Sequence, residues 1–240
     1  MFSPLVTAIH PEMLVALLGI GADRLRYTLI YVVCLVLAVS VHEFSHAFAA
    51  HKLGDPTPEG QGRLTLNPVA HADPIGTLAL PVVLGLLSNG SMMFGWGRPV
   101  NTNPRFYTRK ITMRAGMALV SIAGPLSNLL MALASLALTA VLAHGFGLGN
   151  WLVSKDNPLL MFFALNVLLF VFNLLPLHPL DGGKVLGWAL GAKHQHIDEY
   201  LQRYGGIVLL VLVFAAPQVL GYLFAPFLGL AYWAFAAVVV

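Results

Sequence analysis

Apolar residues run along this chain in long blocks. Residues 27–50 are apolar until His42, Glu43 and His46 interrupt them near the end. Residues 75–94 are apolar but carry Gly76, Pro81, Gly85, Asn89 and Gly90. Residues 111–144, entered through basic residues, are the longest helical candidate, and residues 158–175 follow a polar turn at 154–157. Residues 205–240 hold no charge at all. As one helix this last block would measure about 54 Å, against an apolar bilayer thickness of about 30 Å. It is therefore expected to form a helical hairpin turning near residues 217–221. The polar stretches 52–74, 95–110 and 177–203 contain Asp55-Pro56, Asn67-Pro68, Asn103-Pro104 and Gly182-Gly183, pairs that mark turns. The pattern predicts an all-α polytopic membrane protein with about five to six membrane helices. The glycines and Pro81 disfavour a regular spanning helix over residues 75–94. A re-entrant or β-hairpin-like segment is expected there, between the first and second long helices.

Composition strengthens this reading. Hydrophobic residues make up 58% of the 240 residues and charged residues 10%, and the mean hydropathy is +0.80. A soluble domain carries about 25% charged residues, so lipid is the expected solvent. The length suits a single membrane-embedded domain over residues 1–240. The apolar stretch 13–20 is too short to span and lacks the flanks of a signal peptide, so residues 1–26 are read as an interfacial segment. Cys34 is the only cysteine, so no intramolecular disulfide can form, and its apolar surroundings predict a packing role. Lipid is the expected partner; no nucleic-acid partner is expected, and no oligomeric state is implied.

The chemistry begins at His42-Glu43-Phe44-Ser45-His46. Positions i and i+4 share one face of a helix, so both imidazoles can reach one ion. Neutral imidazole suits Zn²⁺, and Glu43 beside the pair can take a proton from an attacking water. Ionisable groups at the end of an uncharged run within a membrane are costly and usually functional. A catalytic zinc site keeps three protein ligands. Asp181 is a candidate for the third, in Asn173-Leu174-Leu175-Pro176-Leu177-His178-Pro179-Leu180-Asp181-Gly182-Gly183. Pro176 and Pro179 deny this stretch helical hydrogen bonds, and the glycines let it turn. The same residues would equally suit an ordinary loop at a helix end. Asn128, on the long helix after Gly124-Pro125, could donate to a substrate or to a developing oxyanion, or could make a helix–helix hydrogen bond. His71 with Asp73 suggests either a second metal pair or, more simply, a turn before Pro74.

These motifs resemble the site-2 protease family of intramembrane zinc metalloproteases, in its compact bacterial branch. The resemblance rests on the His-Glu-x-x-His helix, on Ala123-Gly124-Pro125-Leu126-Ser127-Asn128, and on the Asn-x-x-Pro…Leu-Asp-Gly segment from Asn173 to Gly182. Further matching stretches are Gly62-Arg63-Leu64-Thr65-Leu66-Asn67-Pro68, His71-Ala72-Asp73-Pro74 and Phe94-Gly95-Trp96-Gly97-Arg98-Pro99-Val100. The likeness runs in order from about residue 27 to 204. It implies that His42, His46 and Asp181 bind one Zn²⁺ per chain, that Glu43 is the catalytic base, and that Asn128 and Asn173 line the site. It gives His178 no role. As a fourth ligand His178 would fill the position water needs, so it is read as a polar wall of the cleft. Asn173 is read as a donor like Asn128, or as a group that orients a ligand. Residues 27–204 then form the catalytic core and residues 205–240 the C-terminal helical hairpin.

The expected activity is hydrolysis of peptide bonds within or near transmembrane segments of membrane-protein substrates, as in regulated intramembrane proteolysis. A substrate helix must unwind before attack, and the Gly-rich residues 75–97 could pair with the extended strand by edge addition. The alternatives are a membrane metal transporter, or an inactive relative acting as a binding protein. The ligands gather at one depth and no His or acid lies in residues 205–240, which disfavours the first; the intact Glu43 disfavours the second. A re-entrant 75–94 brings the His42–His46 helix end and the Asp181 segment to the same side. That side then holds 10 of the 13 Lys and Arg residues, so the site is expected to open to the cytoplasm of a bacterial inner membrane.

Overall fold

The structure, a computed structural model, describes residues 21–88, 94–152 and 157–239. The expected interfacial helix at 13–20 lies outside them, as do Asn89 and Gly90 and most of the polar turn at 154–157. Helices dominate, and among the described residues no named strand occurs.

Helix α1 (Ala22–Lys52) has 31 residues, or about 46 Å, and no glycine or proline interrupts it. It ends at Gly54, whose φ of +102° is a conformation that glycine adopts readily. After two single-turn helices, the chain enters a π-helical stretch (Pro74–Ala79) that continues as α2 (Leu80–Leu87). Helix α3 (Met113–Ala140) starts at the Thr112 side chain, which accepts from Ala115 N–H. Helix α4 (Pro158–Asn173) starts at Asn157, which accepts from Leu159 N–H, with Pro158 in the first turn. Both starts follow the side-chain capping logic of helix N-termini. Helix α5 (Asp181–Leu190) follows the Pro176–Pro179 turn. Helix α6 (Gln195–Leu210) runs through Gly205 without a break and continues as a π-helical turn to Ala215. The chain breaks at Ala216 and resumes as α7 (Pro217–Val239).

Among the described residues, three helical stretches are long and apolar enough to cross a bilayer: Ala22–Lys52, Met113–Gly145 and Pro217–Val239. Pro74–Leu87 and Pro158–Asn173 are apolar but shorter. Side-chain placement agrees with a lipid solvent. On α3 the polar Ser121, Ser127, Asn128, Ser135 and Thr139 are buried, while Leu119, Leu130, Leu133 and Leu138 are exposed. A helix of a soluble protein would show the reverse. The chain is an all-α integral membrane protein.

The segment between α1 and α3 does not cross. Ala72 and Gly97 form an antiparallel bridge, Trp96 N–H donates to Gly76 O at 3.1 Å, and the Thr77 hydroxyl donates to Trp96 O at 2.7 Å. A segment whose two ends bond each other must return to the side it left. Its inward arm is helical, and Leu86 O, near its tip, accepts from Arg24 at the start of α1.

Helix α3 packs most extensively on α4, α1 and α5. One apolar cluster joins α3, α4 and α7 through Ala132, Phe163, Ala231 and Phe235. Another joins α1 to α4 through Leu35, Ala38, Met161 and Leu165, and holds Cys34 in its expected packing role.

Candidate metal centre

His42 and His46 lie one turn apart on α1, both buried, with ring centroids 4.6 Å apart and ring planes at 85°. Helix α3 runs antiparallel beside them. His46 Nδ1 lies 2.7 Å from Val120 O, and His42 Nδ1 lies 2.6 Å from Asn128 Oδ1. A carbonyl oxygen can only accept, so each imidazole donates from Nδ1. In the neutral ring this leaves Nε2 with a bare lone pair.

The two Nε2 atoms face one another at 3.0 Å. Two lone pairs cannot hydrogen-bond, so this contact is repulsive by itself. Asp181 Oδ2 adds a third electron-rich atom, 3.3 Å from His42 Nε2 and 3.2 Å from His46 Nε2. A tetrahedral zinc with ligand bonds of about 2.0–2.2 Å separates its donors by about 3.3–3.5 Å. The triangle's sides of 3.0, 3.2 and 3.3 Å are within about 0.3 Å of that spacing, and a cation at its centre would turn three mutual repulsions into attractions. Imidazole nitrogen and carboxylate oxygen are the ligand chemistry of catalytic zinc, and the acceptors on Nδ1 are the outer contacts such ligands usually make. Asp181 Oδ1, its other oxygen, faces Lys184 Nζ at 3.7 Å. Among the described residues no other three His, Cys, Asp or Glu side chains gather in this way.

Glycines set how closely the elements approach. A Cβ on Gly124 would lie 2.6 Å from His42 Nε2 and closer still to His46 Nε2. Its absence lets α3 pass directly against the imidazoles. Neither Gly182 nor Gly183 has a positive φ. The expectation that they serve a turn is corrected by the structure: both lie within α5. They are needed for space, since a Cβ on Gly182 would meet the Leu174 and Leu175 backbone and one on Gly183 would sit 2.8 Å from His178 N.

Glu43 points away from the pair toward the returning arm of the re-entrant segment. Its Oε2 accepts from Val100 N–H at 2.9 Å. Asn128 is completely buried; its Oδ1 faces His42, and its Nδ2 donates to Asn166 Oδ1 at 2.9 Å. Asn173 donates back into its own helix, to Leu169 O at 2.9 Å. His178 pairs with Asp198 at 3.0 Å and borders a cavity of about 310 Å³ shared with Lys184, Arg114 and Trp188. His71 and Asp73 follow the turn reading. His71 Nε2 donates to Thr65 O, while the Asp73 carboxylate accepts from Ile75 and Gly76 N–H.

Sequence reasoning missed Asn166, Val100 and Asp198. Asn166 carried a readable signal as the one amide inside the apolar stretch 158–172 of α4. Val100 acts through its backbone, so its side chain carries no signal.

The model of peptidase family M50 matches residues 151–215. The chain is 41% identical over 185 residues to "Putative zinc metalloprotease YwhC" of Bacillus subtilis (strain 168), covering 75% of this chain and 78% of that one. It is 30% identical over 204 residues to "Putative zinc metalloprotease Rip2" of Mycolicibacterium smegmatis (82% and 74% covered) and 32% identical over 222 residues to that of Mycobacterium tuberculosis strain H37Rv (91% and 79% covered). No solved structure matches. Identity and coverage on this scale settle the assignment, and the buried His42–His46–Asp181 group that could hold a metal ion agrees with it: the chain belongs to peptidase family M50, the site-2 protease family, and is a zinc metalloprotease of the membrane.

Proposed function

We propose that His42, His46 and Asp181 hold the zinc ion and that Glu43 is the general base for hydrolysis of peptide bonds within or near transmembrane segments of other membrane proteins. The observation that carries this is the convergence of two buried imidazole Nε2 atoms, whose rings donate from Nδ1, on one buried carboxylate oxygen. A zinc ion held there supplies Lewis acidity, polarising a carbonyl and acidifying water. Glu43 takes the proton of the attacking water and returns it to the leaving amine. Its bond to Val100 N–H keeps the carboxylate beside residues 94–100, which form no helix and whose first four belong to the proposed edge 75–97. A locally unwound substrate adding to that edge would lie next to Glu43. His178 is read as a polar wall of the cleft, and Asn173 as a donor like Asn128 or as a group that orients a ligand. Incubation of the purified full chain with a model transmembrane substrate should give cleavage that a zinc chelator abolishes and added zinc restores. Cleavage unaffected by chelation overturns the reading.

The site is further proposed to open to the cytoplasm of a bacterial cell membrane. Support comes from the basic residues crowding the side of Lys52, Arg98, Arg105 and Arg114, with Arg24 and Arg26 at the other end of α1. In a Cys34→Ser background, single cysteines at Gly60 and Asn103 should both label from the cytoplasmic side. Labelling from opposite sides would rule the topology out.

A further inference from the structure

Asn166 lies on α4 and touches neither histidine, yet its amide determines which atom of Asn128 faces His42. One group in this chain of contacts cannot change its role. The Asn166 side chain lies 2.8 Å from Phe162 O, in its own helix. A backbone carbonyl only accepts, so the NH₂ end of Asn166 must face it. The Oδ1 end of Asn166 therefore faces Asn128, 2.9 Å away. Asn128 must answer with its own NH₂, which turns its Oδ1 to His42 Nδ1 at 2.6 Å. His42 is then obliged to carry its proton on Nδ1 and to leave Nε2 free.

We propose that Asn166 is a positioning residue for the metal centre, orienting His42 through Asn128. This rests on the zinc-ligand reading of His42 given above. The relay is sealed from competing partners. Asn128 and Asn166 are both fully buried at 0% exposure, so a reversed amide would leave buried polar groups without their partners. Without Asn166, Asn128 can rotate and offer its NH₂ to His42 Nδ1. That ring would then be protonated on Nε2, where the proton occupies the place of the ion. His46 needs no such relay, because its partner is Val120 O, a backbone atom that cannot rotate. The two ligands thus have unequal supports, and the centre is expected to be sensitive to a residue on a third helix through only one of them.

The test compares the full chain in detergent with its Asn166→Leu and Asn166→Asp variants, measuring zinc affinity by chelator competition. Leu keeps the bulk and removes the amide, and zinc affinity should fall by about 10–100-fold, the usual effect of losing an outer partner of a ligand. In the protonated form that burial favours, Asp at this position can donate to Phe162 O and accept from Asn128, so affinity should return to within about threefold of the original, well above the loss expected on removing an outer partner. Nitrogen-15 NMR of histidine-labelled, zinc-free protein supplies a readout that packing alone does not move. One ring should change from Nδ1–H to Nε2–H on Asn166→Leu and stay unchanged on Asn166→Asp. Unaltered zinc affinity in Asn166→Leu overturns the relay. If that variant fails to fold, the unmodified zinc-free protein still decides, since a His42 ring without a proton on Nδ1 overturns it directly. Should the unmodified chain bind no zinc, it is the ligand assignment that fails instead.

Discussion

Glu43→Gln leaves zinc on the protein at one ion per chain and lowers the rate of peptide cleavage by about 10²–10⁴-fold, the contribution of a positioned general base. Glutamine has nearly the same shape and keeps an oxygen that can accept from Val100 N–H, as the Glu43 carboxylate does at 2.9 Å. The 94–100 arm therefore stays in place, and so do the three ligand atoms, none of which belongs to Glu43. What is lost is the capacity to take and return a proton. Metal analysis beside a cleavage assay on a transmembrane substrate separates base from ligand. Full turnover in a zinc-loaded variant removes Glu43 from the mechanism, and loss of zinc makes it part of the metal centre.

The second large effect is expected from a residue with no side chain. Gly124→Ala adds one methyl group 2.6 Å from His42 Nε2 and nearer still to His46 Nε2. Carbon and nitrogen in ordinary contact keep roughly 3.5 Å or more apart, so either α3 moves off α1 or the imidazoles turn away from Asp181. A displacement of about 1 Å is enough to lower activity by about 10²-fold, and here the displaced atoms are the ligands themselves. Alanine is the better helix former by about 1 kcal/mol, which offsets part of the about 1–3 kcal/mol that overpacking costs, so the helices are still expected to form. Gly206→Ala is the control, because a Cβ there meets nothing within 4 Å. The expected result is loss of stoichiometric zinc and of cleavage in Gly124→Ala, with an intact helical spectrum, and neither loss in Gly206→Ala. A Gly124→Ala variant that binds zinc normally would mean that α3 does not lie against the metal centre.

Local patterns were legible without a structure. The block of uncharged residues ending in His42-Glu43-Phe44-Ser45-His46 marks a membrane helix with two candidate ligands on one face, because helical spacing is a property of the backbone and not of its neighbours. Pro81 and its surrounding glycines mark a segment that does not cross, for the same local reason. Composition sets the solvent as lipid. The resemblance to site-2 proteases added the expectation about Asp181, which spacing alone left open, since a carboxylate after two prolines is compatible with any loop.

Only the tertiary structure decided which atoms meet. Asp181 stands 135 positions beyond His46 in the chain, and whether its oxygen reaches the imidazoles depends on how the Pro176–Pro179 turn folds back against α1 and α3. Gly182 and Gly183 read as turn glycines from sequence, but their reason is the backbone of Leu174 to His178 lying where a Cβ would be. Asn128 could have faced substrate or another helix; burial and the position of Asn166 on α4 give its amide two partners. Which helical stretches among the described residues are long enough to cross depends on where helices break, at Ala216 and at the ends of the short α2 and α4. Contacts between residues far apart in the chain are set by packing in three dimensions, and a pattern with a period of a few residues carries no record of them.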